Sequence, residues 1–147
     1  DSLATPQGAV LLGNFGDARR AQGNHKAALE AYAEAKRVRE ATKSLNSADG
    51  VQLLLRAASV KGESGDVRGA LQDYSDALEI SKSIGSYEGQ EGATLLGNIG
   101  NSRRALGDAE GALEAYTEAR LLRERVGTLE TMDGAGPLGG NGPPRGG

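Results

Sequence analysis

The side chains most often used for catalysis and metal binding are few and scattered in this sequence. Histidine occurs once, as His25, and cysteine is absent, which argues against a Ser-His-Asp triad and against a Cys/His metal cluster. We predict that His25 is solvated in the first turn of a helix. Carboxylates alternate with basic residues, as in Glu34 with Arg37, which indicates solvated helix faces rather than an acid–base pair. We therefore expect no enzymatic activity, no cofactor and no metal.

Two glycine-rich pieces have a composition that could cradle a phosphate. They are residues 13–16 (Gly-Asn-Phe-Gly) and 97–100 (Gly-Asn-Ile-Gly). Neither follows a predicted strand or precedes the Lys-Ser/Thr of a phosphate loop, so we interpret both as packing sites within helices. The single Arg-Gly-Gly at 145–147 is one unit of an RNA-binding type, and one copy on an acidic chain does not predict RNA binding.

Length and charge restrict the class of protein further. The chain has 147 residues, 25% of them charged, and a net charge of −3. It therefore lacks the basic character that nucleic-acid binding requires. No apolar run is long enough to span a membrane. Because the chain starts at Asp1 rather than Met, we expect either a processed mature protein or a piece cut from a longer one. The protein would then be cytoplasmic or, if a targeting peptide was removed, organellar, with a plastid as one option.

A repeat of 42 residues organises most of the chain. Three segments align without gaps, starting at residues 13, 55 and 97. Their shared columns are Gly23/Gly65/Gly107, Asn24/Asp66/Asp108, Ala28/Ala70/Ala112, Leu29/Leu71/Leu113, Tyr32/Tyr74/Tyr116 and Ala35/Ala77/Ala119. Self-similarity at a fixed period predicts stacked units that bury a continuous core.

Each column has a local physical reason. The glycine can end a first helix in the left-handed conformation, and the Asn or Asp after it can cap the amides of a second helix. The Ala, Leu, Tyr and Ala columns then form one stripe of a 3.6-residue period. The pattern predicts six helices, at 7–22, 24–44, 48–64, 66–84, 90–106 and 108–127. Gly50 and Gly92 lie early in two of them, where they cost stability unless close packing requires them.

These columns, with a small residue at Gly16, Ala58 and Gly100, resemble the tetratricopeptide repeat. The resemblance covers residues 7–127. It implies an all-α fold, a right-handed superhelical α-solenoid of three helix-turn-helix repeats. We divide the chain into a lead-in (1–6), repeat 1 (7–47), repeat 2 (48–89), repeat 3 (90–131) and an irregular Gly/Pro-rich tail (132–147).

The repeat is longer than the 34 residues most common in that family. The helix-ending proline of the family is replaced by Glu40, Lys82 and Glu124. This long form is similar to the repeats of the Leu-Gly-Asn adaptors of spindle orientation and of kinesin light chains, and the tripeptide itself occurs at 12–14 and 96–98. The resemblance implies a protein-binding role.

The resemblance also implies that the first helix of each pair lines a concave groove. The residues predicted to face it are Val10, Asn14, Asp17 and Arg20 in repeat 1, Gln52, Arg56, Ser59 and Glu63 in repeat 2, and Thr94, Asn98, Asn101 and Arg104 in repeat 3. Asn amides suit the backbone of an extended peptide, and Arg suits carboxylates. We therefore expect a partner with acidic side chains or a free C-terminus. Gly13 and Gly97 would let the peptide approach closely.

The C-terminal segment has a different composition. Because a Gly/Pro-rich tail cannot form a core, we expect it to be ordered only through contact with its own third repeat or with a neighbouring protein. We also expect Leu113, Leu121 and Leu122 of the last helix to lack cover, since no capping helix follows.

Three functional hypotheses remain open at this stage. The first is an adaptor or scaffold that grips a peptide in its groove. The second is a structural subunit or assembly factor of a larger complex, held by its tail and convex face, with a plastid photosynthetic complex as one setting. The third is a repeat segment of a larger regulatory protein.

Overall fold

The computed structural model describes residues 3–132, with side chains as far as Gly127, and this part of the chain is entirely helical. Its helices are α1 (Pro6–Ala21), α2 (His25–Ala41), α3 (Ala48–Glu63), α4 (Val67–Ile84), α5 (Gln90–Ala105) and α6 (Ala109–Met132). The predicted six helices and their order are thereby confirmed. The Gly/Pro-rich segment after Met132 lies outside the described residues. None of the described helices combines the length and apolar character needed to cross a bilayer.

The repeat columns set the turn within each helix pair. Gly23, Gly65 and Gly107 have φ of +77°, +94° and +87°, the left-handed region in which a side chain is strained. In the first pair, the side chain of Asn24 then accepts a hydrogen bond from the amide of Ala27 at 3.0 Å. Asp66 and Asp108 cap the other second helices in the same way, each at 2.9 Å. The predicted glycine stop and Asn/Asp cap are both confirmed.

Helix α6 departs most from the predicted boundaries, while α2 ends at Ala41 rather than at 44 and the other helix ends agree to within one residue. Helix α6 ends at Met132 rather than at 127. The equivalent of Gly127 in repeat 2 is Gly85, which has φ +87° and ends α4. Gly127 instead lies inside its helix: no proline stands between it and Met132, and a helical glycine costs only about 1 kcal/mol.

Packing follows chain order. Each helix packs on the next, within pairs and between pairs through α2–α3 and α4–α5. One buried cluster joins repeats 1 and 2 around Tyr32 and Leu53, and a larger one joins repeats 2 and 3 around Leu54 and Leu95. This stacking places α1, α3 and α5 in successive repeats, so residues in the same repeat column recur along one side of the array.

Close approach within a pair depends on glycine. A Cβ built on Gly16 would lie 2.5 Å from Cε1 of Tyr32, and a Cβ on Gly100 would lie 2.5 Å from Cε1 of Tyr116. The tyrosine ring of the second helix therefore rests directly on the backbone of the first helix. This confirms that the glycine-rich pieces are packing sites.

A second glycine column serves the loops between pairs. A Cβ on Gly50 would lie 1.7 Å from the carbonyl oxygen of Leu45, and one on Gly92 would lie 2.0 Å from that of Tyr87. Close packing therefore does require these two glycines. Gly8 stands in the same column, against the carbonyl of Leu3, and the loop before each first helix crosses its first turn at this point.

The prediction for the last helix was wrong at one residue. Leu113 and Leu121 are exposed as expected, but Leu122 is fully buried. Successive helical residues point about 100° apart, so Leu121 and Leu122 cannot share a face. Leu122 belongs to the cluster that joins repeats 2 and 3.

Candidate functional site

The predicted groove residues lie on α1, α3 and α5, and all of them reach the surface. We call this row the first-helix face. Its exposed members are Val10, Asn14, Gln52, Glu63, Thr94, Asn101 and Arg104, and its half-buried members are Asp17, Arg20, Arg56, Ser59 and Asn98. No residue of the row is buried in the core, so each one is accessible to a partner.

Two ion pairs link the part of this face that belongs to repeats 1 and 2. A guanidinium nitrogen of Arg56 lies 3.6 Å from a carboxylate oxygen of Asp17. Arg20 donates hydrogen bonds to Glu63 through Nε, at 3.3 Å, and through Nη2. These four side chains line an open depression of about 550 Å³. Their charges cancel, so this part of the row is neutral.

Two tyrosines of the second helices, Tyr32 and Tyr116, reach the first-helix face from the core side. The hydroxyl of Tyr32 donates to Asp17 at 2.5 Å, and that of Tyr116 donates to Asn101 at 2.5 Å. Burial of Tyr32, followed by its hydrogen bond to Asp17, raises the pKa of this phenol. Each tyrosine thus fixes the orientation of a polar residue in the row. The carbonyl oxygen of Asn101 is occupied, which leaves its NH₂ group as the outward donor.

The two glycines expected to admit a peptide have different surroundings. A Cβ on Gly13 would lie 3.2 Å from Nη1 of Arg56, so the space above Gly13 is already taken by that guanidinium. Above Gly97 nothing lies within 4 Å of the same position. The expectation of close peptide approach therefore fits the open space at Gly97, whereas at Gly13 a peptide would have to displace the guanidinium of Arg56. Asn14, the equivalent of Arg56 in repeat 1, borders a small cleft of about 60 Å³ together with it.

Among the remaining residues of the first-helix face, one side chain is hydrogen-bonded and the others have no partner among the described residues. Gln52 donates to Glu91 at 3.3 Å across the junction of repeats 2 and 3. Within the described residues, the polar members whose side chains make no hydrogen bond or ion pair are Asn14, Ser59, Thr94, Asn98 and Arg104. The last three all belong to α5, so the part of the face in repeat 3 carries an unpaired cation beside free amide and hydroxyl groups.

One contributor was not foreseen from the sequence. His25, predicted to be simply solvated, is half-buried, and its Nε2 lies 3.5 Å from Oε1 of Glu63. Glu63 stands in a repeat column whose other members are Ala21 and Ala105. A charged residue in a column of alanines was a signal that could have marked this position as special, although it does not name the partner.

We predict a small, pH-dependent effect of Glu63→Gln. The hydrogen bond from Arg20 lowers the pKa of Glu63 below its ordinary value of 4.5. A lowered pKa stabilises the fold above about pH 4.5, and this contribution is lost as the pH falls through the folded-state pKa. The side chains of Arg20 and Glu63 are 35% and 43% exposed, so solvent screens the pair and Glu63→Gln should lower the free energy of unfolding at pH 7 by at most about 1 kcal/mol.

Urea titrations at several pH values measure this difference. The two proteins should converge below the pKa of Glu63. Glu79→Gln, at an exposed position of α4 without an ion pair, is the matched control and should show no such convergence. A difference that persists unchanged at pH 3 would contradict the assignment.

Titratable groups elsewhere form no metal site in the described part of the chain: no cluster of three or more His, Cys, Asp or Glu side chains occurs among those residues.

The geometry defines a stack of helix pairs. Each has a left-handed glycine between its helices and a tyrosine of the second helix set against the first. The chain is a tetratricopeptide-like helical-repeat protein, as the sequence predicted.

Comparison with solved structures supports this class. The chain is similar to BtubC (BKLC) from P. vanneervenii, with a TM-score of 0.77 and 18% identity over 97% of this chain and 54% of BtubC. It is also similar to the N-terminal domain of stress-induced protein-1 (STI-1) from C. elegans, with a TM-score of 0.67 and 17% identity over 88% of this chain and 98% of that domain. This chain thus spans about half the length of BtubC. No family model and no curated protein sequence matches it.

Proposed function

We propose that this protein is a non-enzymatic interaction scaffold that binds an extended segment of a partner protein along the first-helix face. The observation that carries the proposal is the row itself. Polar, accessible side chains recur in the same repeat columns of α1, α3 and α5, such as Asn14, Arg56 and Asn98. Stacked repeats with a small rotation between them form an extended concave surface, and we propose that this row lines it.

The chemistry of the α5 part favours an acceptor-rich partner. Among the described residues, the side-chain carbonyl and NH₂ group of Asn98 have no partner, and Asn101 accepts a hydrogen bond from Tyr116, which leaves its NH₂ group as a donor. Arg104 adds an exposed guanidinium without a partner inside the described chain. Amide donors match the carbonyl oxygens of an extended backbone, and the guanidinium matches a carboxylate. An acidic side chain or a free C-terminus would therefore bind near Arg104.

The part formed by repeats 1 and 2 has a different role in this proposal. Arg56 and Arg20 are already paired with Asp17 and Glu63. A carboxylate of the partner would have to displace an internal one, with little net gain in a solvated position. We therefore assign this part to the neutral portion of the segment, with the acidic group at repeat 3.

A binding measurement with defined probes tests the proposal. The probes are two labelled peptides, one with glutamates spaced by Gly and Ser and one with lysines in the same positions. The scaffold should prefer the acidic peptide. Arg104→Ala with Asn98→Ala should weaken that binding about tenfold or more, since hydrogen bonds to charged groups contribute about 1.5–3 kcal/mol. The melting temperature should not change.

Two further variants sharpen the result. Arg68→Ala removes an exposed cation from the second helix α4 and should leave affinity unchanged. Arg56→Ala should have a smaller effect than Arg104→Ala, because Arg56 already has Asp17 as its partner. Equal loss in Arg68→Ala and Arg104→Ala would show nonspecific charge attraction, and unchanged affinity in the double variant would contradict the proposed surface.

Two other roles stay open as proposals. As a subunit or assembly factor of a larger complex, the protein would be held by its tail and convex face. As a repeat segment of a larger regulatory protein, it would be one part of a longer gene product. Co-purification with many subunits favours the first of these roles, binding of the acidic peptide by a free monomer favours the scaffold over it, and the full-length gene decides the second.

A further inference from the structure

The outer side of α1 carries an apolar stripe whose counterparts in the other repeats are covered. Leu11, Phe15 and Ala18 are exposed, with Leu11 at 59% and Phe15 at 53%. Their repeat equivalents are all buried, and these are Leu53 and Leu95, Ala57 and Ile99, and Val60 and Ser102. Spacings of four and three residues place the stripe on one helix face. We call it the N-terminal face.

The second helix of the preceding repeat supplies the cover in repeats 2 and 3. Leu29 of α2 packs on the cluster that contains Leu53 and Ala57. Leu71 and Leu78 of α4 pack on the cluster that contains Leu95 and Ile99. An N-terminal face of this kind therefore fits a second helix that presents Leu in the column of Leu29 and Leu71.

Helix α6 has such a surface, and it is uncovered within residues 3–132. Its Leu113 stands in the column of Leu29 and Leu71 and is 63% exposed. The adjoining Tyr116 is half-buried, whereas its equivalents Tyr32 and Tyr74 are buried. In this described part, Leu113 and Tyr116 lack the first helix of a following repeat, just as the stripe on α1 lacks the second helix of a preceding one, and we call them the C-terminal face.

We propose that the N-terminal face of one molecule binds the C-terminal face of a second copy, head to tail. The α2–α3 and α4–α5 junctions within the chain are the template for this contact, with α6 of one copy taking the place of the second helix before α1 of the next. The two faces differ, so the association is heterologous and adds copies in a row unless the rotation between copies closes a ring. Chains of molecules should therefore grow with concentration.

The neighbouring residue Val10 shows that exposure alone does not define the stripe. Val10 is also exposed, but its equivalents Gln52 and Thr94 are exposed as well. That column faces solvent in every repeat and belongs to the first-helix face. Val10→Lys is therefore the matched control for substitutions one residue away.

Sedimentation velocity on the full chain tests the proposal between about 10 µM and about 1 mM, the range expected for a contact of one helix face per partner. The wild type should show a weight-average mass that rises with concentration beyond the dimer. The N-terminal variant, Leu11→Lys with Phe15→Lys, and the C-terminal variant, Leu113→Lys, should each remain monomeric. Val10→Lys should behave as the wild type.

Mixing the two monomeric variants provides the decisive measurement. The N-terminal variant keeps an intact C-terminal face, and the C-terminal variant keeps an intact N-terminal face, so an equimolar mixture should form dimers and nothing larger. All substituted positions are exposed, and circular dichroism melts should match the wild type. Association that survives in either variant alone, or that the mixture does not restore, would overturn the head-to-tail contact. A wild type that stays monomeric at every concentration would also overturn it and would indicate that another segment or protein covers α6.

Discussion

Gly50→Ala is expected to lower the free energy of unfolding by about 1–3 kcal/mol, whereas Gly62→Ala in the same helix should raise it by about 0.4–1 kcal/mol. The methyl group at position 50 would meet the carbonyl oxygen of Leu45 at 1.7 Å. That oxygen belongs to the backbone and cannot rotate away as a side chain does. The loop before α3 must move, or the first turn of the helix must open.

Gly62 lies in the same helix as Gly50 but has open space around its Cα. It is exposed near the end of α3, with nothing within 4 Å of a built Cβ. Alanine there restricts the unfolded chain and has the better helix propensity, without any new contact. The two substitutions therefore separate close packing from propensity.

Equilibrium urea unfolding followed by far-UV circular dichroism measures both changes. Opposite signs are the expected result. If both variants are stabilised equally, the loop at Leu45 does not rest on α3 as described. Gly92→Ala should behave like Gly50→Ala, since the carbonyl of Tyr87 takes the equivalent place at 2.0 Å.

The parts of the fold that could be predicted from the sequence are those that depend on neighbours along the chain. A left-handed glycine followed by Asn24, Asp66 or Asp108 ends one helix and caps the next by rules that act over a few residues. Three copies of the pattern at a constant offset then gave the six helices. The end of α6 could not be predicted in this way, because Gly127 stands where Gly85 ends a helix and yet remains helical.

The polar contacts of the site depend on stacking, which the sequence pattern does not specify. Arg20 and Glu63 are 43 residues apart, and their meeting requires the rise and rotation between repeats 1 and 2. Arg56 was expected to face a ligand, but it lies over Gly13 and pairs with Asp17. The row was placed correctly on the first helices, whereas the pairing within it, and hence the contrast between a neutral and an open part, required the structure.

The second large effect also follows from the repeat symmetry. The same substitution is compared at two residues of one repeat column, one of them buried and the other exposed. Leu95→Ala is expected to lower the free energy of unfolding by about 2–5 kcal/mol. Leu11→Ala should change it by no more than about 0.5 kcal/mol. Leu95 has no exposed surface and packs in the cluster between repeats 2 and 3, whereas Leu11 is 59% exposed. Residue type, helix position and substitution are the same, so the difference measures the cover from the preceding repeat.

Urea unfolding at low protein concentration, where copies do not associate, gives this difference for the single molecule. At high concentration, a head-to-tail contact would cover Leu11 as α4 covers Leu95, so Leu11→Ala should then weaken association while leaving the monomer intact. A cost for Leu11→Ala that approaches that of Leu95→Ala at low concentration would mean that Leu11 is already covered within the single chain. The N-terminal face on α1 would then be part of the core of the single molecule, and no second copy would be needed to cover it.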